Sequence, residues 1–268
     1  VCNGVNSLVG VLQVYNPEQW MPSEFSSIYA MNRDLMGTAV YAGPNGRLII
    51  RPPGLFDTPG AVCGAGTVAA LLGVIFFLEK MQWWKRLAAI GFGGAGLAAI
   101  YLSHVRSSFA VTMVMLSVYV TLLVVQKQRA RAVGFLGFAA VLVFGAMSLS
   151  IALGGAGVQE RFLTFLQENP ADLYFKSRGN QIQTAMTVLL SEYPAGAGLA
   201  RWGVMSGYFG VHGTLRLGVD VQPLAWLYDG GLFLIAAYGI ALVATVVWEL
   251  KLVLRLPDPN DQLWAAAI

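Results

Sequence analysis

The stretch FAVTMVMLSVYVTLLVVQ, residues 109–126, contains no charged side chain and is followed at once by KQRAR at residues 127–131. A hydrocarbon layer of about 30 Å is crossed by about 20 predominantly apolar residues, because an α-helix rises about 1.5 Å per residue. The stretch therefore predicts a membrane-spanning helix that ends in a cluster of cations.

Apolar stretches of the same kind lie on both sides of this one. Further spans are predicted at residues 4–15 (the second half of a span), 60–78, 87–102, 132–153 and 230–248. Charged residues make up only 12% of the chain, whereas a soluble domain carries about a quarter. The fold class is therefore all-α, a polytopic helical membrane protein. We interpret residues 1–268 as a single membrane domain and as a fragment of a longer chain, since both ends fall close to apolar stretches.

The positions of the cations predict which way the helices cross. Three basic clusters fall on one face when the spans alternate in direction: Lys80, Lys85 and Arg86; Lys127, Arg129 and Arg131; Lys251 and Arg255. Loops rich in Lys and Arg stay in the cytoplasm. The other face then carries an outer loop at residues 16–59, a short loop at residues 103–108 and a large extracytoplasmic loop at residues 154–229, in which we expect helices.

Two arginines stand in these outward segments. Arg106 lies in the short loop SHVRSS, and Arg178 begins a predicted amphipathic helix at residues 178–192. An isolated arginine in such a place is commonly an interfacial anchor that reaches water, or a solvated loop charge. Two guanidinium groups facing one cavity would instead suit a pyrophosphate, because the planar fork binds phosphate oxygens with two hydrogen bonds.

Four short motifs occur in a fixed order along the chain: RPPGLFDTPG at residues 51–60, VRSSF at 105–109, EYPAGAG at 192–198 and DGGL at 229–232. Their order, spacing and shared outward placement resemble the loops of O-antigen ligases and O-antigen polymerases, a family of bacterial membrane glycosyltransferases. The resemblance runs over roughly residues 4–238.

The resemblance implies an enzyme of the bacterial cytoplasmic membrane whose active face is extracytoplasmic. The expected reaction transfers a glycan from undecaprenyl pyrophosphate to a sugar hydroxyl, without a metal or another cofactor. Arg106 and Arg178 match the family's two donor-pyrophosphate arginines, and Arg51 is a further substrate-binding candidate. The expected partners are the lipid-linked donor glycan, an acceptor glycan or glycolipid and membrane lipid, with no nucleic acid.

The general base is less closely matched. Ligases carry a His-Asn pair eleven residues before the glycine that opens the next span, and this position holds Asp220 and Val221 when counted from Gly231. His212 lies eight residues further upstream. Either His212 reaches the site along a different loop path, or Asp220 takes the role, or this chain uses no such base. His212 is slightly preferred for its chemistry.

Two other classes of protein share some of these features. A transporter or flippase of lipid-linked glycans would also be polytopic and direct arginines at pyrophosphate, but it commonly carries charges inside its spans. A non-catalytic scaffold for envelope assembly would not need an arginine in the short loop. The sequence also leaves open whether an enzyme of this kind is a ligase or a polymerase.

Overall fold

A computed structural model describes residues 1–21, 40–42, 48–56, 60–79, 81–167, 169–198 and 222–256. Its helices are α1 (Cys2–Tyr15), α2 (Pro17–Trp20), α3 (Val62–Leu78), α4 (Trp83–Ser103), α5 (Arg106–Val125), α6 (Arg129–Gly154), α7 (Ala156–Gln167), α8 (Pro170–Thr184), α9 (Leu190–Glu192) and α10 (Gln222–Arg255), with a π-helical segment at Ala185–Leu189 between α8 and α9. Two compact units divide the chain, unit 1 (Val1–Thr164 with Leu256–Ile268) and unit 2 (Phe165–Arg255).

Four of these helices are long and apolar enough to cross a membrane: α4, α5, α6 and, within α10, Pro223–Val253. Helix α3 is apolar as well but has only 17 residues. The prediction of an all-α protein with membrane-spanning helices is thus confirmed at this level. Helix α4 begins at Trp83 rather than at the predicted residue 87, so Lys85 and Arg86 of the first basic cluster lie in its first turn.

The core of unit 1 is built where α3 and α4 approach backbone to backbone. A methyl group added at Gly66 of α3 would lie 2.6 Å from the carbonyl oxygen of Gly96 of α4, and one added at Gly73 would lie 2.6 Å from the Cα of Gly93. Small residues are what allow such close packing between helices that gain nothing from exclusion of water. The glycine-rich sequence of α4 therefore fixes how α3 and α4 sit against each other.

Helix α1 binds the extended segment that precedes α3. The side chain of Gln13 accepts a hydrogen bond from the backbone N–H of Gly54 at 2.8 Å and donates one to its carbonyl oxygen at 2.9 Å. The side-chain oxygen of Asn6 accepts one from the N–H of Leu55 at 2.6 Å. Both polar side chains are buried, so the backbone of this segment is satisfied although it belongs to no helix or strand.

Two short strands were not anticipated from the sequence. Strand β1 (Val40–Ala42) pairs antiparallel with β2 (Leu48–Ile50), with Tyr41 opposite Ile49. Each strand has only three residues, too few for an alternating pattern to stand out between the prolines and glycines around it. The strands bring Arg51, which directly follows β2, to the body of unit 1.

Unit 2 differs from the predicted helix at residues 178–192. Helix α8 begins at Pro170, where the side chain of Asn169 accepts a hydrogen bond from the N–H of Ala171 at 3.0 Å. Asn at the cap and Pro at the first position form a strong helix start, which the amphipathic pattern further along did not reveal. Arg178 therefore lies inside a helix rather than at its beginning, and the predicted boundary is wrong.

Candidate functional site

The end of unit 1 that carries residues 103–108, called here the loop end, is shaped by the way α4 stops. The loop predicted at these residues is shorter than expected, because only His104 and Val105 lie between the end of α4 and the start of α5. His104 follows the last helical residue and adopts a left-handed conformation with φ 58°. Its N–H donates to the carbonyl oxygen of Tyr101 at 3.1 Å, and the Ser103 hydroxyl donates to that of Ile100 at 2.7 Å. The N–H of Val105 donates to the Ser103 hydroxyl at 3.3 Å, so the chain reverses within a few residues before α5 begins.

Arg51 reaches this loop from the other part of unit 1. Its Nε donates a hydrogen bond to the carbonyl oxygen of Ser103 at 2.5 Å. One of its terminal nitrogens lies so close to Gly60 that a methyl group added there would be 3.0 Å away. The Arg51 side chain is half-buried and Ser103 is fully buried. The guanidinium is therefore held at the C-terminus of α4, where backbone carbonyls lack helical partners and a cation is favoured.

An aromatic contact lies beside this guanidinium. The rings of Tyr41, from β1, and His104 have centroids 3.9 Å apart and are inclined by 30°. Burial raises the pKa of Tyr41 well above its usual value, and the opposing effect of the nearby Arg51 charge, which lowers that pKa, is smaller. The phenol is therefore neutral at physiological pH. Its oxygen is buried and has no hydrogen-bond partner among the described residues.

A ring of polar side chains holds the other side of the loop. Ser108 donates to the Sγ of Cys63 at 3.1 Å, and Thr112 donates to the carbonyl oxygen of Ser108 at 2.7 Å and contacts the Thr67 hydroxyl at 3.1 Å. Thr67 in turn donates to the carbonyl oxygen of Cys63 at 3.0 Å. These bonds tie the first turns of α5 to α3.

Arg106 is the first residue of α5 and is half-buried. It stands three positions after Ser103, whose carbonyl oxygen Arg51 contacts. Two of the three predicted substrate-binding arginines, Arg51 and Arg106, thus belong to the same end of unit 1. The opposite end, called here the basic end, carries Arg86 and Arg131, and both contact Glu79.

Arg178 belongs to unit 2, where it is half-buried on α8. The helix continues into the π-helical segment, whose Ala185 and Leu189 pack in a buried cluster with Leu227 and Tyr228 of α10. A π-helical segment inserts an extra residue into the turn and is often found at functional sites. The helix that bears Arg178 is thereby fixed to the first part of α10.

Two motifs recognised separately in the sequence meet in unit 2. The glycine-rich turn at residues 193–198 packs on a kink in α10 at Gly230 and Gly231, where the backbone leaves helical geometry. The N–H of Ala197 donates to the carbonyl oxygen of Tyr228 at 2.7 Å, and that of Leu232 donates to the carbonyl oxygen of Pro194 at 3.3 Å. Gly231 has φ 63°, and an added Cβ would collide with the Pro194 carbonyl. The EYPAGAG and DGGL motifs are two halves of one structure.

The two candidates for the general base, His212 and Asp220, lie outside the described residues, as does the whole segment between the turn and α10. Within the described ranges, no group of three His, Cys, Asp or Glu side chains is arranged to hold a metal ion. The assignment of the base and the absence of a metal in the reaction remain predictions.

Sequence reasoning missed the structural roles of Tyr41, Ser103 and His104. His104 carried one usable signal, because His is among the few non-glycine residues enriched in the left-handed conformation that often ends a helix. Tyr41 carried none, since its contact joins residues far apart in the chain. Comparisons with protein-family models, with curated proteins and with solved structures find no match to this chain.

Proposed function

We propose that this chain transfers a glycan from an undecaprenyl-pyrophosphate donor to a sugar hydroxyl at the extracytoplasmic face of a bacterial cytoplasmic membrane. Arg51 and Arg106 carry the proposal, because residues 55 positions apart in the sequence (106 minus 51) occur in two of the family-like motifs and belong to one end of unit 1. Arg178, on α8 of unit 2, is the other donor-pyrophosphate candidate that the sequence resemblance implies.

In the proposed reaction, the bond between the donor sugar's anomeric carbon and the pyrophosphate oxygen breaks. The acceptor hydroxyl oxygen forms the new bond to that carbon, and its proton passes to His212 or Asp220. The leaving undecaprenyl pyrophosphate gains negative charge as the bond breaks. Guanidinium groups fixed in advance stabilise such developing charge at little cost in reorganisation.

The distribution of charge along the helices favours this function over that of a transporter. In α4, α5 and α6, every Lys or Arg falls within the first four residues of the helix, and α3 has no charged residue at all. Transporters and pumps commonly place ionisable residues within their spans to line the substrate path. The charges of these four helices, confined to their first turns or absent, agree better with chemistry at the membrane surface.

Alanine substitution of Arg106 and of Arg178 tests the proposal. Each should lower the rate of glycan transfer from a purified lipid-linked donor by about 10²–10³-fold, the range seen when a group that stabilises transition-state charge is removed. Arg106→Lys and Arg178→Lys should not restore full activity, because an ammonium cannot bind two phosphate oxygens in a fork.

Arg86→Ala is the matched control, since it removes a cation of the same kind from the basic end of unit 1. All variants are first checked for equal amounts in the membrane. Full activity in the Arg106 or Arg178 alanine variant would remove that residue from the site. In cells that make the cognate glycan, shortened chains would assign a polymerase, whereas full-length chains that remain unattached would assign a ligase.

A further inference from the structure

Arg51 is bound in a manner that suits support of the backbone. Its Nε donates to the carbonyl oxygen of Ser103, the last residue of α4, across a separation of 52 residues. The carbonyl is buried, and a left-handed residue follows it at once. A carbonyl at a helix C-terminus has no partner within the helix, so it must find a donor elsewhere.

Protein groups contact the Arg51 guanidinium on more than one side. Gly60 lies against one terminal nitrogen, and its backbone is held by a hydrogen bond of 3.1 Å from its N–H to the carbonyl oxygen of Pro52. The positive charge of Arg51 is near enough to Tyr41 to lower the pKa of its phenol, and the Tyr41 ring contacts the His104 ring. The half-buried side chain therefore lies among the strands, the start of α3 and the end of α4.

The loop that follows is fixed at its other side as well. Ser108 is bonded to Cys63, and Thr112 to Thr67, so the start of α5 is attached to α3. Arg106 lies between these bonds and the Arg51 contact at Ser103. Removing the contact at Ser103 would release one attachment of the segment that presents Arg106.

We infer that Arg51 is a positioning residue: by capping α4 at Ser103 it fixes the Ser103–Ser108 loop, and so orients Arg106, rather than binding the donor itself. What Arg106 binds rests on the function proposed above, whereas the attachment of the loop by Arg51 does not. Arg51 and Arg106, both substrate-binding candidates on the sequence motifs, thus have different roles.

Hydrogen–deuterium exchange of the purified protein in detergent micelles tests the attachment without reference to activity. In Arg51→Ala, the backbone amides of residues 103–109 should exchange about tenfold faster than in the unsubstituted chain, since a buried carbonyl loses its donor. Arg51→Lys should remain close to the unsubstituted rate, because an ammonium can donate one bond and keeps a cation at the helix C-terminus. Arg86→Ala is the matched control and should leave these amides unchanged.

A double-mutant cycle on glycan transfer tests how Arg51 acts. Arg51→Ala should lower kcat/KM about tenfold or more alone, but hardly at all when Arg106 is already alanine, because residues that act through one another are not additive. Arg51→Lys should keep most of the activity, in contrast to Arg106→Lys.

Each outcome decides the inference. Faster exchange at residues 103–109, rescue by lysine and a non-additive cycle would support it. Unchanged exchange in Arg51→Ala, or losses that multiply in the cycle, would overturn it and make Arg51 a substrate contact. If the unsubstituted chain transfers no glycan, the proposed function fails, yet the exchange rates still decide whether Arg51 holds the loop. Should Arg51→Ala not accumulate in the membrane, Arg51→Met, which keeps the apolar stem, replaces it in both measurements.

Discussion

The two ends of unit 1 use an arginine for the same purpose in different surroundings. At the basic end, Arg86 donates from Nε and Nη2 to the carbonyl oxygen of Glu79, the residue that directly follows α3, at 3.3 and 3.0 Å. At the loop end, Arg51 donates to the carbonyl oxygen of Ser103, which ends α4, at 2.5 Å. Each guanidinium caps the C-terminus of a helix.

The two contacts differ in the sequence separation of their partners and in their exposure to water. Arg86 is seven residues from Glu79, whose side chain is 27% exposed and also pairs with Arg131 at 2.8 Å. Arg51 is 52 residues from Ser103, which is fully buried. A local and partly exposed contact can be replaced by water, whereas a distant contact to a buried carbonyl leaves that carbonyl unsatisfied when it is lost. Loss of the arginine at the loop end should therefore destabilise the fold more than loss of its counterpart at the basic end.

The largest effect is expected from a substitution that forces α3 and α4 apart, because it would disturb both ends of unit 1 at once. Gly66→Leu should destabilise the fold by about 3 kcal/mol or more, because even its Cβ would lie 2.6 Å from the Gly96 carbonyl oxygen and force α3 away from α4. Denaturation in mixed micelles would measure the loss. Gly64→Leu is the matched control on the same helix, since an added Cβ at Gly64 meets no atom within 4 Å. Equal stability of the two variants would contradict the close contact between α3 and α4.

A smaller effect should separate the two ends. Arg51→Ala should lower the free energy of unfolding by about 1–3 kcal/mol, the cost of a buried carbonyl left without a donor. Arg86→Ala should lower it by less than about 1 kcal/mol, as expected for a partly exposed cation whose carbonyl partner water can also reach. The same denaturation measurement applies to both. Losses of similar size would show that burial at Ser103 does not matter.

The smallest effect concerns the left-handed residues, one at each end: His104 after α4 and Lys127 after α5. Lys127→Gly should raise the free energy of unfolding by up to about 1 kcal/mol, because glycine adopts φ 61° without the strain that a side chain brings. His104→Gly should leave the free energy of unfolding unchanged, because the relief of backbone strain is offset by loss of the ring contact with Tyr41. Thermal unfolding in micelles would record both shifts, and an equal gain at the two positions would argue against a stabilising ring contact.

Apolar length and charge placement were enough to predict the helices. The stretches at residues 109–126 and 132–153 correspond to α5 and α6 with shifts of a few residues, because the period and length of a membrane helix are written in consecutive residues. The boundary at Arg178 was missed because the capping Asn169 lies nine residues earlier (178 minus 169), ahead of the amphipathic pattern. Local signals predict that a helix exists better than where it starts.

The site could be predicted only as a set of residues. The motifs brought Arg51 and Arg106 forward as candidates, but they gave no means to see that Arg51 bonds to a carbonyl three residues before Arg106. That contact depends on the pairing of β1 with β2, two strands too short to carry a pattern. Long-range contacts of this kind follow from the assembled fold and leave no periodic trace in the sequence.

The bend in α10 has a consequence for the order in which the chain assembles. It removes Tyr228 and Leu232 from the regular helical ladder, and the partners of both backbone groups come from the turn at residues 193–198. A ribosome releases this turn before it makes α10, so the acceptor at Pro194 and the donor at Ala197 exist when the bend first forms. Newly made α10 can therefore bend as it emerges from the translocation machinery, or emerge straight and bend upon meeting the turn. Without the turn, a bent α10 would leave backbone groups without hydrogen-bond partners in a lipid environment.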